Sequence, residues 1–265
     1  MMDQVIQCSY RIEELHFSGY FHDAAKMKEL LEYACQPMPR LRSFSAGARQ
    51  SWFKTMCPMR THDLVNWSTH FDLLHGEMAT LKSMQIHCMW NLWEHPIAFP
   101  ALTSFSLSSL SYDEQYPLNG LIPSKLLETL ACMPELQKLE VELHAMYGEY
   151  WRRHGVPSSN QPQNNPIIHL YNLKELHIST QTEDQVCVLL NAMNMPHLDR
   201  LDLDTRLWED TPTHPILWAR VESAWKDSVK SLRIHGKANS DLISLISTGD
   251  FKSLEVFALR CAEEY

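Results

Sequence analysis

One irregular spacing of apolar residues, Leu-x-x-Leu-x-Leu, recurs along the chain. Its clearest copy lies in MPHLDRLDLDT, where Leu198, Leu201 and Leu203 stand three and then two residues apart. An amphipathic helix needs apolar residues three and four apart, and a half-buried strand needs strict alternation. The spacing therefore suits neither element alone. Eight further copies begin at Ile12, Leu41, Leu81, Leu102, Leu136, Leu173, Val229 and Leu254. Their second and third apolar positions are Leu15 and Phe17, Phe44 and Ala46, Met84 and Ile86, Phe105 and Leu107, Leu139 and Val141, Leu176 and Ile178, Leu232 and Ile234, and Phe257 and Leu259.

Single triplets arise readily in a chain that is 45% hydrophobic, so the context of the copies matters more than their number. Met38-Pro39, Phe99-Pro100, Met133-Pro134 and Met195-Pro196 each place a proline two residues before the first apolar position. Between several copies lie amphipathic segments at helical spacing: DAAKMKELLEYAC, PSKLLETLACM, TEDQVCVLLNAMN and the shorter SDLISLIST. Ser124, Thr182 and Asn239 stand where helix N-caps are expected. Each Met-Pro is expected to end the helix before it, because proline disfavours helical geometry in the preceding residue.

Strand then helix, repeated with steps of 21 to 40 residues, resembles the leucine-rich repeats of F-box proteins, in particular the divergent forms found in fungi. The resemblance runs from about Ile12 to Leu259. It implies an α/β fold: a leucine-rich-repeat solenoid with a curved parallel sheet inside and irregular helices and loops outside, formed by residues 1–265 as a single domain of about nine repeats. Two departures stand out. The Asn or Cys that follows the strand in such repeats is replaced by Tyr20, Met89, Leu110, Gln181, Arg206 and Lys237. Eleven residues precede the first repeat, too few for an F-box, so a ubiquitin-ligase adaptor is expected to bind only if an F-box exists outside this chain. The chain stops six residues after Leu259, from which a last strand left at an edge, or a truncated product, is expected.

The charge balance narrows the function. A formal net charge of -9 argues against general nucleic-acid binding, which concentrates positive charge on the phosphate-facing surface. Neither a secretion-type leader nor a membrane span is expected, because the start shows no basic segment followed by an apolar run and nowhere do about 18 apolar residues run unbroken. Seven cysteines, odd in number and without CxxC pairs, fit reduced thiols and an intracellular setting, cytoplasmic or nuclear. Cys57, His62, His70, His75, His87 and Cys88 crowd one region, but their spacing fits no zinc pattern. Eight glycines and no Gly-rich loop leave no phosphate cradle. Neither cofactor nor metal is expected.

Were the strands to stack in register, the residues between the apolar positions would form outward rows. After the second apolar residue the row reads His16, Ser45, Gln85, Ser106, Glu140, His177, Asp202, Arg233, Ala258, and after the third Ser18, Gly47, His87, Ser108, Glu142, Ser179, Asp204, His235, Arg260. Both rows turn from serine and small polar groups to dense charge halfway along. Glu140, Glu142, His177, Asp202, Asp204, Arg233 and His235 thus make a candidate surface for a protein or peptide partner. The plainer reading of the same residues is a solvated face whose charges pair across strands.

A second candidate is the insertion at 148–166, rich in Pro, Asn, Gln and Ser, which is expected to be a flexible loop. Its Tyr150, Trp151, Arg152 and Arg153 are residue types that often anchor interfaces, although a Trp folded back on the fold beside a flexible insert is the plainer reading. The expectation is a non-enzymatic protein-interaction module resembling the substrate-recognition half of an F-box ubiquitin-ligase subunit. The alternative is a hydrolase or metal-dependent enzyme using the acidic and histidine-rich patch, for which the sequence marks no nucleophile or oxyanion hole.

Overall fold

A computed structural model describes residues 9–19, 38–48, 79–87, 98–110, 123–144, 167–180, 183–204, 225–236 and 251–260. The fold is α/β, with nine principal strands, all parallel, and few helices among the described residues. Each principal strand begins two residues after the first apolar position of a motif copy, from Glu14 after Ile12 to Val256 after Leu254. This settles the irregular spacing. The first leucine belongs to the approach to the strand, and only the second and third follow the two-residue period of a pleated chain.

That approach is a tight turn. The amide of Leu41 donates to the carbonyl of Met38, that of Leu102 to Phe99, that of Leu136 to Met133 and that of Leu198 to Met195, at 3.0 to 3.3 Å. The proline is the second residue of each turn, where its fixed φ is already correct and its missing N–H is not needed. Met38, Phe99, Met133 and Met195 are buried beneath these turns while the prolines are exposed. Leu173 donates to Leu170 in the same way without a proline.

The chain forms two compact units, Met1–Leu136 and Gln137–Tyr265. The first holds β1 (Glu14–Gly19), β2 (Ser43–Ala48), β3 (Ser83–His87) and β4 (Ser104–Leu110), hydrogen-bonded in chain order. Leu15, Phe44, Met84 and Phe105 fall on one register line. Helix α1 (Pro123–Ala131) follows, burying Leu126, Leu127 and Leu130 at helical spacing. Pro123 occupies its first turn, where proline is well tolerated, so Ser124 lies inside the helix rather than at its cap.

The second unit holds β5 (Lys138–His144), β7 (Glu175–Thr180), β9 (Arg200–Asp204), β10 (Ser231–His235) and β11 (Val256–Arg260), again in chain order. Between them β6 (Ile168–His169) and β8 (Met193–Asn194) pair as a separate two-stranded sheet. Helix α2 (Glu183–Ala192) buries Val186, Leu189 and Leu190. It ends three residues before Met195, because the chain first passes through β8; Pro196 shapes the turn and does not stop the helix. Thr182, Asn239, the segments DAAKMKELLEYAC and SDLISLIST, and all of 148–166 lie outside the described residues.

The same backbone device repeats in both units. Two successive amides at the mouth of one strand share a single carbonyl of the preceding repeat: Arg42 and Ser43 use Glu13, Lys82 and Ser83 use Arg42, Thr103 and Ser104 use Lys82. In the second unit Lys174 and Glu175 use Gln137, Asp199 and Arg200 use Lys174, Lys230 and Ser231 use Asp199, and Glu255 and Val256 use Lys230. These bonds fix the register before the strand begins. Gly236, at φ 151°, closes β10 in a conformation that favours glycine, and its amide donates to Arg260.

Burial follows the motif. Leu173, Leu176 and Ile178, Leu198, Leu201 and Leu203, and Val229, Leu232 and Ile234 are all buried, as are the motif residues of the repeats at Leu81, Leu102 and Leu136. Each aliphatic side chain so placed contributes on the order of 1.5–3 kcal/mol, and the apolar ladder is the main stabilising term. The last strand differs: Phe257 is 38% exposed, whereas its register partner Leu232 is fully buried. Phe257→Ala is accordingly expected to cost on the order of 1 kcal/mol, well below a central position, as read by urea denaturation.

Candidate functional site

The outward rows form with the register read from the sequence. In the second unit Glu140, His177, Asp202, Arg233 and Ala258 are successive Cα partners on β5, β7, β9, β10 and β11. Glu142, Ser179, Asp204, His235 and Arg260 form the next row. A third row, at the start of the strands, was not singled out in the sequence: Lys138, Glu175, Arg200, Ser231 and Val256. Its signal was there, since Lys, Glu and Arg occupy the first strand position of three consecutive repeats. In the first unit the matching rows carry Ser43, Ser83 and Ser104, then Ser45, Gln85 and Ser106. On β1 the exposed side chains of His16 and Glu14 lie 3.6 Å apart.

Burial separates the seven candidate residues into two groups. Glu140, Glu142, His177, Arg233 and His235 are partly exposed. Asp202 and Asp204 are 8% and 7% exposed, although they point away from the leucine ladder. Ser179 and Thr180 are buried as well, so the C-terminal ends of β7 and β9 are shielded on both faces. Simple alternation does not predict this.

A buried carboxylate needs donors. For Asp202 they come from the same strand: the Arg200 Nε lies 3.1 and 3.0 Å from the two carboxylate oxygens and an Nη closes the fork at 2.5 Å. Residues two apart on a strand share a face, and the planar guanidinium matches a carboxylate in two places. The hydrogen bond to Asp202 raises the Arg200 pKa above its ordinary value; burial opposes this, and the charges of Asp202 and Glu175 reinforce it. Because the shift is upward, the contribution of Arg200 is complete throughout the neutral range and declines only above the ordinary arginine range.

Arg200→Met keeps the apolar stem and removes the fork. It is expected to cost about 1–2 kcal/mol, reduced from the fully buried case because the arginine is partly exposed. Most of that loss should vanish in Arg200→Met combined with Asp202→Asn, and a double-mutant cycle by urea denaturation measures the coupling. At the rim, Lys230 meets Asp199 at 3.0 Å, and this hydrogen bond raises the lysine pKa, aided by the Asp199 charge.

Glu140, Glu142 and His177 converge. One ligand atom from each lies within 4.8 Å of the other two, with all three side chains partly buried. The strand pairing produces this directly: Glu140 and Glu142 share a face of β5, and His177 sits opposite Glu140 on β7. Sequence reasoning placed all three on one surface but did not see them as a common donor set. Tyr150, Trp151, Arg152 and Arg153 lie outside the described residues, as do Cys57, His62, His70, His75 and Cys88.

No helix among the described residues is long and apolar enough to cross a membrane. No protein-family model matches the chain, and no curated protein matches it at a significant level.

Proposed function

We propose that this chain is a leucine-rich-repeat solenoid working inside the cell as a non-enzymatic protein-binding module, similar in role to the substrate-recognition half of F-box ubiquitin-ligase subunits. The observation that carries the reading is the in-register charged rows on one face of the second unit, in which carboxylates alternate with His177, Arg233 and His235. The parallel strands in chain order, one per motif copy, support the solenoid. Such a face presents a fixed pattern of charge to a partner without the partner's having to open the fold. Glu140, Glu142, His177, Arg233 and His235 are the members accessible to contact, and the Arg200–Asp202 fork joins two side chains of the strand between them. Tyr150, Trp151, Arg152 and Arg153 are proposed as a second contact. An adaptor would join only through an F-box outside this chain.

The test is cross-linked capture from native extract with the wild-type chain and with Glu140→Lys/Arg233→Glu. A protein partner captured by the wild type and lost from the variant, with an unchanged melt, is the expected result. Equal capture by both would remove the charged face as the binding surface. Adaptor and cullin among the captured proteins would place the chain in a ligase; a partner without them would leave a scaffold.

A further inference from the structure

We infer that Glu140, Glu142 and His177 bind one divalent first-row transition-metal ion of the zinc class, a site that holds whether or not a protein partner uses the same face. Three observations carry it. The donor atoms already form a triangle with sides within 4.8 Å. Zinc takes imidazole nitrogen and carboxylate oxygen at about 2.0–2.2 Å, which puts two donors on one ion roughly 3–4 Å apart. Closing the triangle therefore needs side-chain rotation and no movement of the hydrogen-bonded strands.

The second observation is charge. Glu140 and Glu142 are two carboxylates two residues apart on one face of β5, both partly buried. A dication held between the two carboxylates and the imidazole would be attracted to both negative charges at once.

The third is the donor set. Two carboxylates and an imidazole select against calcium and magnesium, which prefer oxygen ligands throughout, and favour zinc, nickel, cobalt or copper. The partly exposed face leaves the remaining coordination positions to water. Nothing among the described residues supplies a fourth protein ligand to the group. The affinity should therefore be that of a three-ligand site, weaker than a closed structural zinc site.

The full-length chain, stripped with chelator, would be titrated with zinc chloride by calorimetry and with cobalt chloride by visible absorption. The wild type is expected to bind one ion more than His177→Ala does, with a cobalt spectrum showing nitrogen and oxygen ligation. Glu140→Gln and Glu142→Gln are each expected to weaken that ion by about tenfold or more. His197→Ala, an exposed histidine of the same unit outside the triangle, should bind as the wild type does. All variants would be checked by circular dichroism, and the two glutamine variants keep the shape of the native side chain if His177→Ala fails to fold. Equal stoichiometry in wild type and His177→Ala, or unchanged affinity in both glutamine variants, overturns the site.

Discussion

Leu201→Ala is expected to destabilise the protein by about 2–5 kcal/mol, enough to remove a large part of the stability of an ordinary domain. Leu201 is fully buried and lies between Leu176 on β7 and Leu232 on β10, both buried and both at the same motif position. Deleting its side chain opens a cavity that its neighbours cannot fill, because the hydrogen-bonded register on each side holds their backbones in place. Loss of the transferred methyl groups and the unfilled volume add together. Urea denaturation followed by far-ultraviolet circular dichroism measures the effect. An unchanged midpoint would show that the leucine ladder is not what holds the second unit together.

Phe105→Ala should cost about 3–5 kcal/mol, the range for a large aromatic removed from a core. Phe105 is buried on β4 opposite Met84, with Leu102 and Leu107 of its own repeat buried beside it. Phe105→Leu should restore more than half of the loss, since it refills most of the volume with another apolar group. This substitution reads on the first unit as Leu201→Ala reads on the second. A Phe105→Ala protein with wild-type stability would mean that the aromatic has no packed surroundings to lose.

The strands and their register were legible in the sequence because a repeated motif gives the same instruction many times. Leu198, Leu201 and Leu203 alone are ambiguous between a strand and a short helix; beside Leu173, Leu176 and Ile178 they specify which residues face each other. The first leucine's place in a turn was not legible, since Leu41 and Leu198 look no different in sequence from the strand leucines that follow them. Nor was the true role of Pro196 apparent. Proline both disfavours a preceding helix and favours the second position of a turn, and only the intervening β8 decides which effect is at work.

Within the candidate site, the sequence supplied the neighbours and missed the partnerships. Glu140 opposite His177 follows from the motif register. That Arg200 turns toward Asp202 on its own strand, rather than toward Glu175 across it, depends on side-chain rotation and local burial, which no spacing encodes.

By itself the sequence determined the α/β class, the positions of the nine principal strands among the described residues and the rows of side chains on their faces, because period and repetition act through backbone geometry alone. The tertiary structure decided which members of those rows are withdrawn from water, and so why Asp202 is tied to Arg200 while Glu140 and His177 remain half exposed beside Glu142. Burial is set by everything that packs around a residue, from distant parts of the chain, and a local motif carries no record of it.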